Sequence, residues 1–280
     1  MKLYRTTAGV ILESGERLYR HQWEWDAVVN RRGLRRALQA DLLEGRVEPV
    51  SMAWSSVSLL PPAQSQEVWA AGVTYIRSKV ARMEESDGTG ASRFYDMVYA
   101  ADRPELFFKC PAWRLVPPGG TVTFRKDSTW NVPEPELTLL ITSEGTIEGY
   151  TIGNDMSSRS IEGENPLYLP QAKIWDGAAS MGPCVHVPEK PPGTDTVISM
   201  NIIREGKEIF SGTATLGLMK RGLGELASWL TRSLTFPNGV MLMTGTCLVP
   251  GDGFTLHAGD RIAMAITGIG ELHNIVSELP

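Results

Sequence analysis

Glu134 and Glu136 stand in the segment Pro133-Glu134-Pro135-Glu136-Leu137, just ahead of the apolar run Leu137 to Ile141. Residues two apart on an extended strand project from one face, so both carboxylates can converge on a point. Asp155 closes Gly149-Tyr150-Thr151-Ile152-Gly153-Asn154-Asp155, a second stretch that reads as a strand. Three like charges brought together repel strongly unless something positive stands among them. A divalent cation answers that need. An all-oxygen ligand set favours Mg²⁺ or Mn²⁺, with Ca²⁺ a further candidate. On spacing alone a solvated strand face stays open, because alternate Glu flanked by Pro also suits an exposed strand entrance.

The elements that must carry these residues follow from periodicity. Leu3 to Ile11 and Arg17 to His21 read as strands joined through Glu13-Ser14-Gly15-Glu16, a good turn sequence. Leu34, Ala37, Leu38 and Leu42 recur at helical spacing. Ser51 to Gln66, with Pro61-Pro62, reads as a linker or crossing strand. From Val68 the pattern becomes short apolar runs between Gly and Pro: Val68 to Val73, Val122 to Phe124, Leu137 to Ile141, Thr196 to Arg204, Gly239 to Thr244 and Arg261 to Ile266. That rhythm belongs to a sheet-rich domain with long functional loops. Helices are expected over Tyr75 to Glu85 and over Gly222 to Leu234, the latter with Leu223, Leu226, Ala227 and Leu230 on one face. The division expected is a small N-terminal strand-helix domain over 1–65 and a catalytic domain over 66–280.

Composition excludes several classes. A formal net charge of -5 gives no reason to expect nucleic acid or an anionic membrane as partner. The one basic cluster, Arg31, Arg32, Arg35 and Arg36, reads as a solvated helix face. Three widely spaced cysteines, Cys110, Cys184 and Cys247, make neither a disulfide framework nor a zinc pattern and are expected as buried thiols. No apolar run is long enough to span a bilayer and no signal core opens the chain, so a cytoplasmic location is expected.

From Val68 onward the chain resembles the fumarylacetoacetate hydrolase family. The likeness rests on Glu134-x-Glu136, on Gly149 to Asp155 continued by Met156-Ser157-Ser158-Arg159, on Lys173 and on Gly182-Pro183. Leu242-Met243-Thr244-Gly245-Thr246, Gly259-Asp260-Arg261-Ile262 and Gly268-Ile269-Gly270-Glu271-Leu272 complete the set. Within the family, Arg103 to Lys109, Glu164 to Ile174 and the opening Met1-Lys2-Leu3-Tyr4-Arg5 resemble the 2-keto-3-deoxy-D-arabinonate dehydratase branch. The resemblance implies an α+β, mainly β fold with a rolled, barrel-like catalytic domain, and a homodimer or higher homo-oligomer. It also implies Glu134, Glu136 and Asp155 as ligands of Mg²⁺.

One departure bears on the reaction. The family's hydrolases carry a His on a lid helix, and in Gly72-Val73-Thr74-Tyr75-Ile76-Arg77-Ser78 it is Ser78 that stands in its place. Neither Ser78 nor Arg77 serves as a base near neutral pH, which disfavours activation of water for carbon–carbon cleavage. Glu84 and Glu85 are candidate lid carboxylates. A 2-oxo acid chelating the cation through carboxylate and keto oxygens has an acidified neighbouring CH₂. A hydroxyl one carbon further on then leaves as water. The expected activity is therefore dehydration of a 2-keto-3-deoxy sugar acid such as a pentonate, giving a 2,5-dioxo acid. Hydrolysis or decarboxylation of an acylpyruvate or oxaloacetate is the alternative, and a non-catalytic metal-binding module a remote one.

Roles follow from the match. Lys173 is the candidate base, with a carboxylate anchor and a Schiff base as its other readings. Glu105 is the candidate acid, or a ligand reached through water. Arg159 and Lys109 resemble anion-holding positions. Glu162, where the hydrolases often have an amide, suits a polyhydroxylated substrate, and Gln171, Thr246 and Tyr75 are expected contacts.

Overall fold

The structure is a computed structural model that describes residues 1–51, 53–75, 97–251 and 253–280. At the N-terminus β1 (Lys2–Thr6), β2 (Gly9–Ser14) and β3 (Arg17–His21) form a meander, followed by α1 (Trp25–Val29), α2 (Leu34–Leu43) and β4 (Val47–Val50). Thr7 and Ala8 break the expected Leu3 to Ile11 strand into two, because the Thr6 hydroxyl donates to the Gly9 carbonyl and accepts from the Ala8 amide. Helix α2 buries Leu34 and Leu38, as its spacing predicts, and the Glu148 carboxylate accepts from the Gly33 and Leu34 amides at its start.

Next come β5 (Glu67–Gly72), β6 (Glu105–Pro111), β7 (Thr121–Phe124), β8 (Asn131–Val132), β9 (Pro135–Ile141), β10 (Ile147–Asp155) and β11 (Ser157–Ser158). Two short helices, α3 (Arg159–Glu164) and α4 (Leu169–Lys173), lead into β12 (Ala179–His186). The chain ends with β13 (Val197–Arg204), β14 (Lys207–Thr215), α5 (Leu223–Thr231), β15 (Val240–Met243), β16 (Arg261–Ile266) and β17 (Gly270–Glu278).

A ten-stranded sheet runs β4-β3-β2-β1-β12-β10-β9-β15-β5-β6. It is mostly antiparallel, with a parallel β15–β5 pair, and it does not close into a barrel among the described residues. The N-terminal meander is continuous with it, since β1 pairs with β12 at Lys2–His186 and Leu3–Val185. A five-stranded sheet, β14-β13-β16-β17-β7, packs on one face. Strand β9 is central and buried throughout, which its near-continuous apolar run anticipates. Its Leu137, Leu139 and Ile141 join the core shared with Ile198, Ile202 and Ile262 of the second sheet. Leu140, of opposite parity, joins the core built with Leu3, Trp25, Leu34 and Met241.

Two expectations change here. The arginine cluster is a solvated face only at Arg32 and Arg36, which are exposed: Arg31 pairs with buried Asp41 at 2.8 Å and donates to the Val28 carbonyl, and Arg35 donates to the Val187 carbonyl. Ser78, Arg77, Glu84, Glu85 and the helix expected over Tyr75 to Glu85, beyond Tyr75 itself, lie outside the described residues. All three cysteines are buried thiols outside any disulfide, as expected. Among the described residues no helix is long and apolar enough to cross a membrane.

Candidate active site

Glu134 and Glu136 share the parity of Leu140, so they leave the sheet on the face opposite Leu137 and Leu139. Strand β10 brings Asp155 alongside. Gly153 registers with Glu136, and the Asp155 amide donates to the Glu134 carbonyl at 3.0 Å. One carboxylate oxygen from each of Glu134, Glu136 and Asp155 falls within 4.8 Å of the others, with all three residues buried. Gly153 makes the approach possible, because a Cβ there would meet the Thr138 hydroxyl at 2.6 Å and Met243 at 2.9 Å.

Cations crowd the acids. The Lys173 ammonium reaches Glu134 Oε2 at 2.7 Å, Asp155 Oδ2 at 3.1 Å and Glu162 Oε1 at 3.3 Å, and donates to the Ser157 hydroxyl at 2.5 Å. Arg159 donates to Glu134 Oε1 at 2.6 Å. Lys109, 1% exposed, pairs with Asp155 Oδ1 and donates to the carbonyls of Met156, at 3.0 Å, and of Lys173. The Gly245 amide donates to Glu136 Oε2 at 2.6 Å. That amide is aimed by a positive φ of 93°, and a Cβ on Gly245 would strike the Thr74 hydroxyl at 2.0 Å.

Four buried carboxylates, Glu134, Glu136, Asp155 and Glu162, thus face three cations, Lys109, Arg159 and Lys173. The imbalance settles on Glu136. Burial, then the charges of Asp155 and Glu134, push its carboxyl well above the ordinary range. Burial also acts to raise Asp155, but the ammonium groups of Lys109 and Lys173 outweigh it and hold that carboxyl below its ordinary value. Three oxygens on a buried face carrying excess negative charge are the donor chemistry of a hard divalent cation, and the residues present fit Mg²⁺.

Gly72, Val73, Phe107 and Thr246 line the same cavity. Gly72 registers with Glu105 across β5 and β6, and the Glu105 carboxylate occupies the space that a side chain at position 72 would fill, 1.9 Å from its ideal Cβ. Glu105 is therefore carried to the cavity edge by strand pairing. Of the other expected contacts, Arg159, Lys173 and Thr246 line the cavity, and Glu162 joins the ion network behind it. The Thr246 hydroxyl accepts from the Leu248 amide at 3.2 Å. Tyr75 is fully buried beside the cavity, where burial, Cys247 and Glu136 push its hydroxyl up. Gln171 is exposed on α4, and Lys109 is spent on holding Asp155 and Lys173, so neither is among the lining residues. Ser157, Gly72 and the Gly245 amide had no expected role. Only their places in the family-like motifs marked them, because hydrogen bonds to backbone leave no trace in residue type.

The chain is similar to known proteins over most of its length. The family description "Fumarylacetoacetate (FAA) hydrolase C-terminal" matches residues 89–277. A protein of Haloferax volcanii named probable 2-keto-3-deoxyxylonate dehydratase is 48% identical over 217 residues, spanning 77% of this chain and 74% of its own. The 2-dehydro-3-deoxy-D-arabinonate dehydratase of Saccharolobus solfataricus is 37% identical over 222 residues, spanning 78% and 74%. A solved 2-keto-3-deoxy-D-arabinonate dehydratase, complexed with magnesium and 2,5-dioxopentanoate, superposes with a TM-score of 0.84 at 30% identity over 100% of this chain and 99% of its own.

Proposed function

The chain belongs to the fumarylacetoacetate hydrolase family, and from that premise we propose that it is a Mg²⁺-dependent dehydratase of a 2-keto-3-deoxy sugar acid, a pentonate giving 2,5-dioxopentanoate. The observation that carries this reading is the buried convergence of Glu134, Glu136 and Asp155 with Lys173 at one cavity, with the Glu105 carboxylate packed against Gly72 of the cavity wall. Glu134, Glu136 and Asp155 would hold the ion, which when bound supplies Lewis-acid polarisation of the substrate's keto group. Arg159 provides positive charge for the substrate carboxylate. Lys173, as the free amine, takes a proton from C3. Glu105, approaching from β6, gives its proton to the C4 hydroxyl, which departs as water. Tautomerisation of the unsaturated product, which moves protons without net loss, gives the 2,5-dioxo acid. Thr246, at the cavity wall, would meet the substrate hydroxyls, and Glu162, behind the wall, would hold Lys173.

Several further readings accompany the proposal. The protein works in the cytoplasm, as a homo-oligomer, on a small 2-oxo acid. The test is incubation with Mg²⁺ and a panel of 2-keto-3-deoxy acids and acylpyruvates, with product identification by NMR. Formation of 2,5-dioxopentanoate from a 2-keto-3-deoxypentonate, abolished by chelator, is the expected result. Cleavage of an acylpyruvate with no dehydration overturns the reading.

A further inference from the structure

Glu134 and Asp155 are each held by two buried cations, Arg159 with Lys173 and Lys109 with Lys173. The Glu136 carboxylate is held differently. Among the described residues its one hydrogen-bond donor is the Gly245 amide, at 2.6 Å to Oε2. The direction of that amide is set from the other end of its peptide. The Thr74 hydroxyl donates at 2.7 Å to the Thr244 carbonyl, which belongs to the same peptide unit as the Gly245 amide. A trans peptide is planar, with its carbonyl and its N–H pointing opposite ways, so fixing one fixes the other. Thr244 is itself anchored, since its amide, at 3.0 Å, and its hydroxyl, at 2.8 Å, both donate to the Leu137 carbonyl. Thr74 is fully buried and adjoins two residues that line the cavity, Val73 and Gly245.

We infer that Thr74 is a positioning residue of this site, aiming the Gly245 amide at Glu136 through the Thr244–Gly245 peptide. The two bonds, hydroxyl to carbonyl and then amide to carboxylate, run in one direction, so each polarises the next. A donor is required at position 74, because the Thr244 carbonyl can only accept. The backbone shows what this placement demands. Val73, just before, takes a positive φ of 53°, a conformation rare for a β-branched residue. Such strain persists where the surroundings hold it, and it clusters at functional sites. Here Val73 packs on Val98 and Tyr99, and the Thr74 carbonyl accepts from the Lys220 amide at 2.9 Å. Without the hydroxyl the carbonyl end of the peptide loses its donor, the unit can tilt, and the bond to Glu136 weakens. The inference rests on the metal reading above and adds to it the residue that orients Glu136.

Selective glycine labelling of the full chain lets NMR follow the Gly245 amide in metal-free protein, while calorimetry with Mg²⁺ alone measures affinity. In the wild type the amide proton should lie downfield, as a short bond to a carboxylate requires, and a resonance at the position of exposed glycine amides overturns the inference. Thr74→Val keeps the shape and removes the donor. Its Gly245 resonance should move upfield and its Mg²⁺ affinity should fall about ten- to a hundredfold, the scale on which such outer partners act. Thr74→Ser, which restores the donor, should recover both. A folded Thr74→Val with the wild-type resonance and affinity, or a Thr74→Ser no better than Thr74→Val, overturns the inference. A purely structural threonine would lower Tm in the variant and leave both readouts in place. Where Thr74→Val does not fold, Thr74→Ala takes its place with the same expectations. Absence of any Mg²⁺ binding by the wild type sinks the metal reading itself and leaves the resonance to judge Thr74.

Discussion

Asp155 and Glu134 are joined backbone to backbone: the Asp155 amide donates to the Glu134 carbonyl at 3.0 Å where β10 passes the entrance of β9. The bond fixes two like charges as cross-strand neighbours, a placement that is destabilising unless cations answer it. Lys173 answers by reaching both carboxylates at once. Stability has been exchanged for a binding point.

Gly72→Ala should separate stability from activity. The new Cβ would sit 1.9 Å from Glu105 Oε2, so the carboxylate must swing away, which a flexible side chain does at small cost. Gly72 does not require a positive φ, and the loss of unfolded-state freedom can add about 0.4–1 kcal/mol. The expected outcome is an unchanged or raised Tm with kcat reduced about 10²-fold or more, the value of a positioned acid. Calorimetry and steady-state kinetics on the same sample check it.

Lys173→Met should remove proton exchange at C3 of a bound 2-oxo acid while Mg²⁺ still binds. Proton NMR in D₂O reads the exchange directly. Unchanged exchange in this variant would remove Lys173 from the role of base.

Arg221 ties the chain just before Glu105 to the loop that precedes α5. It donates to the carbonyls of Asp102 at 2.8 Å, Ala101 at 2.5 Å and Val98 at 3.3 Å, and pairs with Glu225 at 2.6 Å. The neighbouring Lys220 amide donates to the Thr74 carbonyl at 2.9 Å, so residues 220–221 hold both the segment after Gly72 and the segment before Glu105. Arg221→Met leaves those carbonyls without a donor, at a cost of about 1–3 kcal/mol. Amide exchange over 97–102 should quicken, with kcat falling more than KM changes. Exchange confined to wild-type rates would contradict the tie.

Asp41 gives the fold its acid sensitivity away from the site. It is fully buried, with His21 Nε2 at 3.0 Å, Arg31 at 2.8 Å and Arg46 at 2.9 Å. The Trp23 amide donates to His21 Nδ1 at 3.0 Å, so Nε2 carries the proton given to Asp41. Burial acts to raise this carboxyl, but the His21, Arg31 and Arg46 bonds prevail and hold it below its ordinary 3.8. The stabilisation is therefore complete above the unfolded-state value of about 3.9 and is lost as pH falls through the lower folded-state value. Asp41→Asn should cost about 3 kcal/mol at pH 7 and flatten the decline in stability below about pH 4. Denaturant titrations between pH 2 and 7 measure both.

Much of the site was legible because strand parity is local. Glu134 and Glu136 two apart, ahead of an apolar run, announce one face, and Leu34, Leu38 and the α5 leucines announce theirs through helical spacing. The break at Thr7 and Ala8 was not legible, since a side-chain hydroxyl competing for backbone bonds resembles any other strand threonine. Nor was the anchoring of Arg31, whose partner Asp41 sits ten residues on, on a helix face that looks polar by type alone.

By itself the sequence determined which residues could do chemistry and on which face of their strands they stand, because alternation along a strand is set within a few residues. Tertiary structure decided the rest. It brought Glu105 over Gly72, turned the Gly245 amide onto Glu136, gave Lys109 to Asp155 instead of a ligand, and joined β1 to β12 across more than half the chain. Those are pairings between distant segments, chosen by how whole sheets pack and where charge must be buried, and no spacing within a segment encodes them.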